Sequence, residues 1–83
     1  MLFPDKSSFD KVFMEYYRML CAYSNRFVCL EDAEDIVQDV MVWLWENREL
    51  VQIESSLNSY LFKTVYHRTI NKLIQVASYK LLQ

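Results

Sequence analysis

The apolar residues Phe9, Phe13, Tyr16, Leu20, Tyr23 and Phe27 are separated by alternating steps of four and three. A strand would need steps of two, so this spacing restricts the segment to an amphipathic helix with one buried face. Ser7 or Ser8 can accept from the orphan amides of its first turn, which predicts a helix from there to about Phe27.

A second helix is predicted over EDAEDIVQDVMVWLWE, residues 31 to 46. Asp32 is the expected cap, and Glu34 and Asp35 stand in the first turn, where the helix dipole favours negative charge. Advancing about 100° per residue from Ala33 brings Val37, Val40 and Leu44 onto one face, with Ile36, Met41 and Trp43 at its margins. The opposite side collects Asp35, Gln38, Asp39 and Glu46 around Val42, with Trp45 at the edge. A lone exposed valine is ordinary. Carboxylates and an amide around an apolar centre also make a small docking surface for a basic partner. An ordinary solvated acidic face explains the spacing equally well.

Residues 47 to 56, NRELVQIESS, lose the period and read as a connection. Ser55 or Ser56 then caps a third helix predicted from Leu57 to about Leu82. Leu61, Val65, Thr69, Leu73 and Val76 share one side of it. Lys63, His67 and Asn71 lie on the other, flanked by Tyr60, Arg68 and Lys72. Tyr66, Ile70 and Ile74 fall outside the stripe. These three segments predict an all-α fold: a compact bundle of three principal helices, the first two antiparallel, forming one domain over residues 1–83.

Composition agrees with this class. The chain has 83 residues, 53% hydrophobic and 24% charged, as in globular domains. At this size folding hides only about 60–65% of the unfolded chain's surface, so the core is modest. No apolar run is long enough to span a bilayer, and MLFPDKSS lacks the features of a signal peptide, which predicts a cytoplasmic protein without membrane insertion. Cys21 and Cys29, if on one helix, would lie about 12 Å apart along its axis and remain reduced. With one histidine and two cysteines the ligands for a metal site are too few.

The net charge of −2 hides a division along the chain. Residues 31 to 54 carry Glu31, Asp32, Glu34, Asp35, Asp39, Glu46, Glu49 and Glu54 against Arg48 alone. Residues 55 to 83 carry Lys63, Arg68, Lys72 and Lys80 and no acid. An acidic middle and a basic end suit a protein with one cationic and one anionic partner.

Catalysis finds little support. With no glycine there is neither a glycine-rich phosphate loop nor a nucleophile elbow, and His67 has no patterned partner. Glu34 and Asp35 lack the apolar pocket that would separate their pKa values. No cofactor, metal or small-molecule substrate is expected.

DAEDIVQDVMVWLWE, followed after a short connection by SLNSYLFKTVYHRTINKL, resembles the second conserved region of bacterial sigma factors of the extracytoplasmic-function group. The resemblance extends from FMEYYRMLCAYSNRF to about Leu73, and DAEDIVQDV is its specific part. It implies that the second helix binds a coiled coil in the beta-prime subunit of RNA polymerase. Asp35, Gln38 and Asp39 would be the main polar contacts, Asp32 and Glu34 would support them, and Val42 would be the apolar centre. Trp43 and Trp45 divide between core and surface.

The resemblance further implies that the following loop and helix open and read the promoter element near minus ten. Gln52, Ser55 and Ser56, over a floor at Met41, would receive an unstacked base of the non-template strand. Lys63, Tyr66, His67, Arg68, Asn71 and Lys72 would face DNA, cations on phosphates and aromatic or amide groups on bases. A solvated helix face accounts for that stripe equally well if the resemblance is set aside.

Departures bear on this. Family members commonly carry asparagine at His67, an acid at Asn71, and an arginine followed by more basic residues at Ile74 and Gln75. Fewer cations should lower intrinsic DNA affinity and make promoter binding depend on polymerase. Such factors continue into a helix-turn-helix region 4, which is absent from this chain, so an excised domain or a fragment is expected. An anti-sigma factor is a further implied partner. The alternative is a helical adaptor whose acidic face docks a basic protein and never touches nucleic acid.

Overall fold

A computed structural model describes residues 2–82. Helix α1 spans Lys6–Ser24, α2 Leu30–Glu46 and α3 Leu57–Leu82, with no strand among the described residues. The all-α expectation holds, and the start and end of α3 fall where predicted.

The other boundaries differ for identifiable reasons. Asp5, not Ser7 or Ser8, caps α1. Its backbone is extended and its carboxylate accepts the Ser8 N–H at 2.8 Å, which places both serines inside the first turn. That bond holds the Asp5 carboxyl below its ordinary pKa. The stabilisation is present above the unfolded-state value and is lost as pH falls through the lowered one. At the other end α1 stops at Ser24, not Phe27. The amides of Phe27 and Val28 both turn back onto the Ser24 carbonyl, at 3.0 and 3.2 Å. Helix α2 starts at Leu30, because the Cys29 carbonyl already accepts the Ala33 N–H at 2.9 Å. Asp32 is therefore in the first turn and Cys29 at the cap, without a side-chain bond. The two cysteines are not on one helix, and both are free thiols.

The tight turn at residues 25–29 folds α2 back along α1. Phe9 meets Trp45 with ring centroids 5.2 Å apart, and Gln38 reaches Tyr17, so early residues of α1 oppose late residues of α2. This is the antiparallel pairing. Helix α3 packs against both, meeting the end of α1 beside the turn through Thr69 on Ser24 and Phe62 on Tyr23, and contributes Leu61 and Val65 to a core of Leu20, Val37, Val40, Met41 and Leu44.

One polar link stands inside that core. Ser24 and Thr69 are fully buried, their hydroxyls 2.7 Å apart, and Thr69 Oγ1 lies 2.7 Å from the Val65 carbonyl. Thr69 spends its hydrogen on that carbonyl, so Ser24 donates to Thr69. Thr69→Val keeps the volume and orphans the Ser24 hydroxyl. It should cost about 1–3 kcal/mol in chemical denaturation. Adding Ser24→Ala should recover part of the loss, because the orphaned group is then gone.

Asn47 and Arg48 close α2. The Asn47 amide donates to the Trp43 carbonyl at 2.9 Å and the Arg48 guanidinium to the Trp45 carbonyl at 2.7 Å, where a cation complements the helix dipole. The same guanidinium lies 3.8 Å over the Trp45 ring. The lone cation of the acidic segment is thus a structural element of the helix end. The tryptophans divide accordingly: Trp45 packs against the core, and Trp43, expected at the buried margin, is 39% exposed.

Helix α3 outruns its support. Leu73, expected in its buried stripe, is 40% exposed, and the residues from Ala77 to Leu81 are all exposed. The radius of gyration, 13.9 Å, exceeds the roughly 12 Å of a compact chain of this length, and the longest dimension is 47 Å. The bundle is therefore compact only through the first half of α3.

Candidate functional site

Two surfaces emerge from these helices. The first is the outward side of α2. Because Ala33, Ile36, Val37, Val40, Met41 and Leu44 are all buried, the helical period turns Asp35, Gln38, Asp39 and Val42 outward, and all four are exposed. Val42 is 56% exposed at the centre of this group. Asp32 and Glu34 are half-buried on the flank.

Gln38 is not free to wander. Its side-chain amide donates to the Tyr17 hydroxyl at 3.2 Å, which leaves its carbonyl oxygen and one N–H available outward. Tyr17 stacks on Phe13 at 5.0 Å between centroids. The Gln38 N–H on its oxygen would by itself favour the phenolate. Burial, the neighbouring Cys21 thiol and the Glu34 carboxylate outweigh it and raise the phenol pKa. Cys21 is likewise raised, chiefly by burial and against a bond from Tyr17. Both groups are neutral at physiological pH, so the flank of the surface carries only the charges of its acids. Residue spacing on α2 alone could not find Tyr17. The turn could have: folding about residues 25–29 pairs position i with roughly position 54 − i, which sets Phe9 on Trp45 and Tyr17 beside Gln38.

Beside Val42 the α1–α2 seam opens into an apolar groove of about 450 Å³. Phe9, Phe13, Met41 and Trp45 line it, with Lys6 and Glu46 among its polar members. Met41, proposed from the sequence as the floor of a base pocket, is 1% exposed and belongs to this groove. Gln52, Ser55 and Ser56 are not among the residues that line this groove.

The second surface is the loop after α2 and the outer side of α3. Gln52 and Ser55 are exposed. Ser56 is committed to the helix: its Oγ accepts the Ser59 N–H at 3.1 Å and donates to Ser59 Oγ at 3.0 Å. Lys63, His67 and Asn71 are exposed on α3, and Arg68 and Lys72 are half-buried. Tyr66 stands at the edge of an aromatic group missed by the sequence reading. Its ring lies 6.1 Å from Phe27 and from His67, and Tyr23 bridges Phe27 and Phe62 at 5.8 and 5.3 Å. The signal was present in the sequence, since Tyr23 and Phe27 end the first apolar stripe. Tyr23 is half-buried against the core, and Phe27 beyond it is 36% exposed.

The two surfaces meet. A cleft of about 470 Å³ between α2 and α3 is lined by Ile36, Asp39, Arg68, Asn71, Lys72 and Gln75. One acid of the first surface thus shares a cavity with two cations of the second.

Among the described residues no group of His, Cys, Asp and Glu converges as metal ligands would, and no helix is long and apolar enough to cross a membrane. No curated protein and no solved structure matches the chain. The family model for sigma-70 region 2 matches residues 12–78, which takes in most of α1, all of α2 and α3 as far as Ser78. The chain therefore belongs to the sigma-70 region 2 family: it is a transcription-initiation domain, not an enzyme, of the kind with which sigma factors bind core RNA polymerase and recognise promoters.

Proposed function

We propose that this domain belongs to a sigma factor of the extracytoplasmic-function group and holds polymerase through the outward face of α2. Asp35, Gln38 and Asp39 meet a basic coiled coil of the beta-prime subunit, with Asp32 and Glu34 in support and Val42 as the desolvated centre. The observation that carries this reading is the partition of one helix: six residues buried in the core and an amide, two carboxylates and a valine exposed together on the other side. Lys63, Arg68 and Lys72 neutralise phosphates. Tyr66, His67 and Asn71, with Gln52 and Ser55 of the loop, engage unstacked bases of the non-template strand. The chain acts as one cytoplasmic domain of a longer factor whose helix-turn-helix region follows, and an anti-sigma factor competes for its surfaces.

The test uses fluorescence anisotropy with matched single- and double-stranded oligonucleotides of a minus-ten sequence. Duplex binding by the isolated domain should be negligible at physiological salt, since few phosphates are neutralised. The single strand should bind more tightly, because its bases are open to stacking. In complex with core polymerase, the Lys63/Arg68/Lys72 triple alanine variant should lose at least about tenfold in affinity. Equal affinity for both DNA forms, or no loss in the triple variant, would remove α3 from the DNA interface and favour the adaptor reading.

A further inference from the structure

We infer that the cleft between α2 and α3 is a conditional phosphate site, in which Asp39 holds Arg68 and Lys72 in check until polymerase engages Asp39. The inference rests on the DNA-facing role proposed for α3, and it adds a site, a gate and a coupling that role does not require.

The cleft has the donors a DNA backbone phosphate needs. Arg68 and Lys72 stand one helical turn apart on α3, and Asn71 and Gln75 add amide donors on the same wall. Arginine with an adjacent lysine and amide groups is the chemistry that fixes a phosphodiester in place without reading sequence. Gln75 entered the sequence reading only as a departure from the basic residues common at that position, not as a site residue. The opposite wall places it, through Ile36 and Asp39 of α2.

Asp39 is the anomaly. It faces the two cations across the cleft, yet among the described residues the one ion pair is Lys6 with Asp10. An acid at that range is too far to neutralise the cations by contact, but it lowers the potential that an incoming phosphate meets. Asp39 also belongs to the exposed face of α2 that meets the basic partner. A cation of the partner placed on Asp39 cancels its field, and Arg68 and Lys72 are then free to act on phosphate. Polymerase binding and DNA binding thus share a residue, and linkage makes their coupling reciprocal. Arg68 and Lys72 are half-buried, which keeps this coupling less screened than between fully exposed charges.

Asp39→Asn removes the charge and keeps the shape. At low ionic strength and without polymerase, this variant should bind a single-stranded minus-ten oligonucleotide roughly fivefold more tightly than the wild type. Glu46→Gln makes the same change in net charge two turns along α2, in the α1–α2 groove, and should give a clearly smaller gain. In an Arg68→Gln/Lys72→Gln background the gain from Asp39→Asn should vanish, and at saturating core polymerase wild type and Asp39→Asn should bind DNA alike. Equal gains from Asp39→Asn and Glu46→Gln, or a gain that survives loss of both cations, would overturn the gate while leaving the DNA role of α3 standing. Loss of the role itself would show separately, as DNA binding in the polymerase complex that is indifferent to Arg68→Gln/Lys72→Gln.

Discussion

Val40→Asp should leave the domain without a cooperative unfolding transition. Val40 is 1% exposed and packs in the shared core of Leu20, Met41, Leu44, Leu61 and Val65. The substitution forfeits about 1.5–3 kcal/mol of apolar burial. It also places a carboxylate among the apolar side chains of that core, which costs several kcal/mol more even if the group takes up a proton. A domain of this length has roughly 4–12 kcal/mol to lose. Circular dichroism at 222 nm during a thermal scan gives the readout. Val42→Asp, two residues further along the same helix, is the matched comparison. Its side chain faces water, so the melt should stay cooperative with a midpoint close to that of the wild type. If the two variants melt alike, the division of α2 into a core face and an outward face is wrong.

The second large effect concerns the outward face. Asp35→Ala and Gln38→Ala should each weaken association with core polymerase by about 1–3 kcal/mol, as expected of polar residues around the centre of a docking surface. Gln38 is held by Tyr17, so its amide is presented without first losing rotamer freedom, and the larger share of the effect should fall there. The two residues are neighbours on one helix face, so the double variant should fall short of the sum. Stability should change little: both side chains are exposed, and the Gln38–Tyr17 bond contributes on the order of 1 kcal/mol. Surface plasmon resonance against immobilised core enzyme, with a melt recorded for each variant, separates lost contacts from lost folding. An unchanged Kd in the double variant would remove these residues from the interface.

Much of this was legible in the sequence. The apolar periods gave three helices and the buried face of α2 almost residue by residue, because those positions are fixed by a repeat of 3.6 and by burial. Boundaries were less legible. A boundary is decided by which group first joins the helical bonding: the Asp5 carboxylate reached an orphan amide ahead of the expected Ser7 and Ser8, and the first intrahelical bond of α2, to the Cys29 carbonyl, formed ahead of the expected Asp32. Leu73 read as core because its spacing is right, yet α3 continues beyond its partners and leaves it 40% exposed. What lay furthest out of reach were the relations between helices. Tyr17 behind Gln38, Met41 in the α1–α2 groove and Asp39 across from Arg68 and Lys72 all depend on register and crossing, which a single helix's period does not encode.

The most direct test of the polymerase-binding face places a photoreactive benzoyl-phenylalanine at position 42, where Val42 is 56% exposed amid Asp35, Gln38 and Asp39. The chain is mixed with core polymerase, irradiated, and the crosslinked subunit is identified by mass spectrometry. The predicted result is a crosslink to the coiled coil of the beta-prime subunit, abolished by Asp35→Ala/Gln38→Ala. A domain that binds core polymerase with no crosslink from position 42, or with crosslinks only to another subunit, would contradict the assignment of this face of α2 to beta-prime.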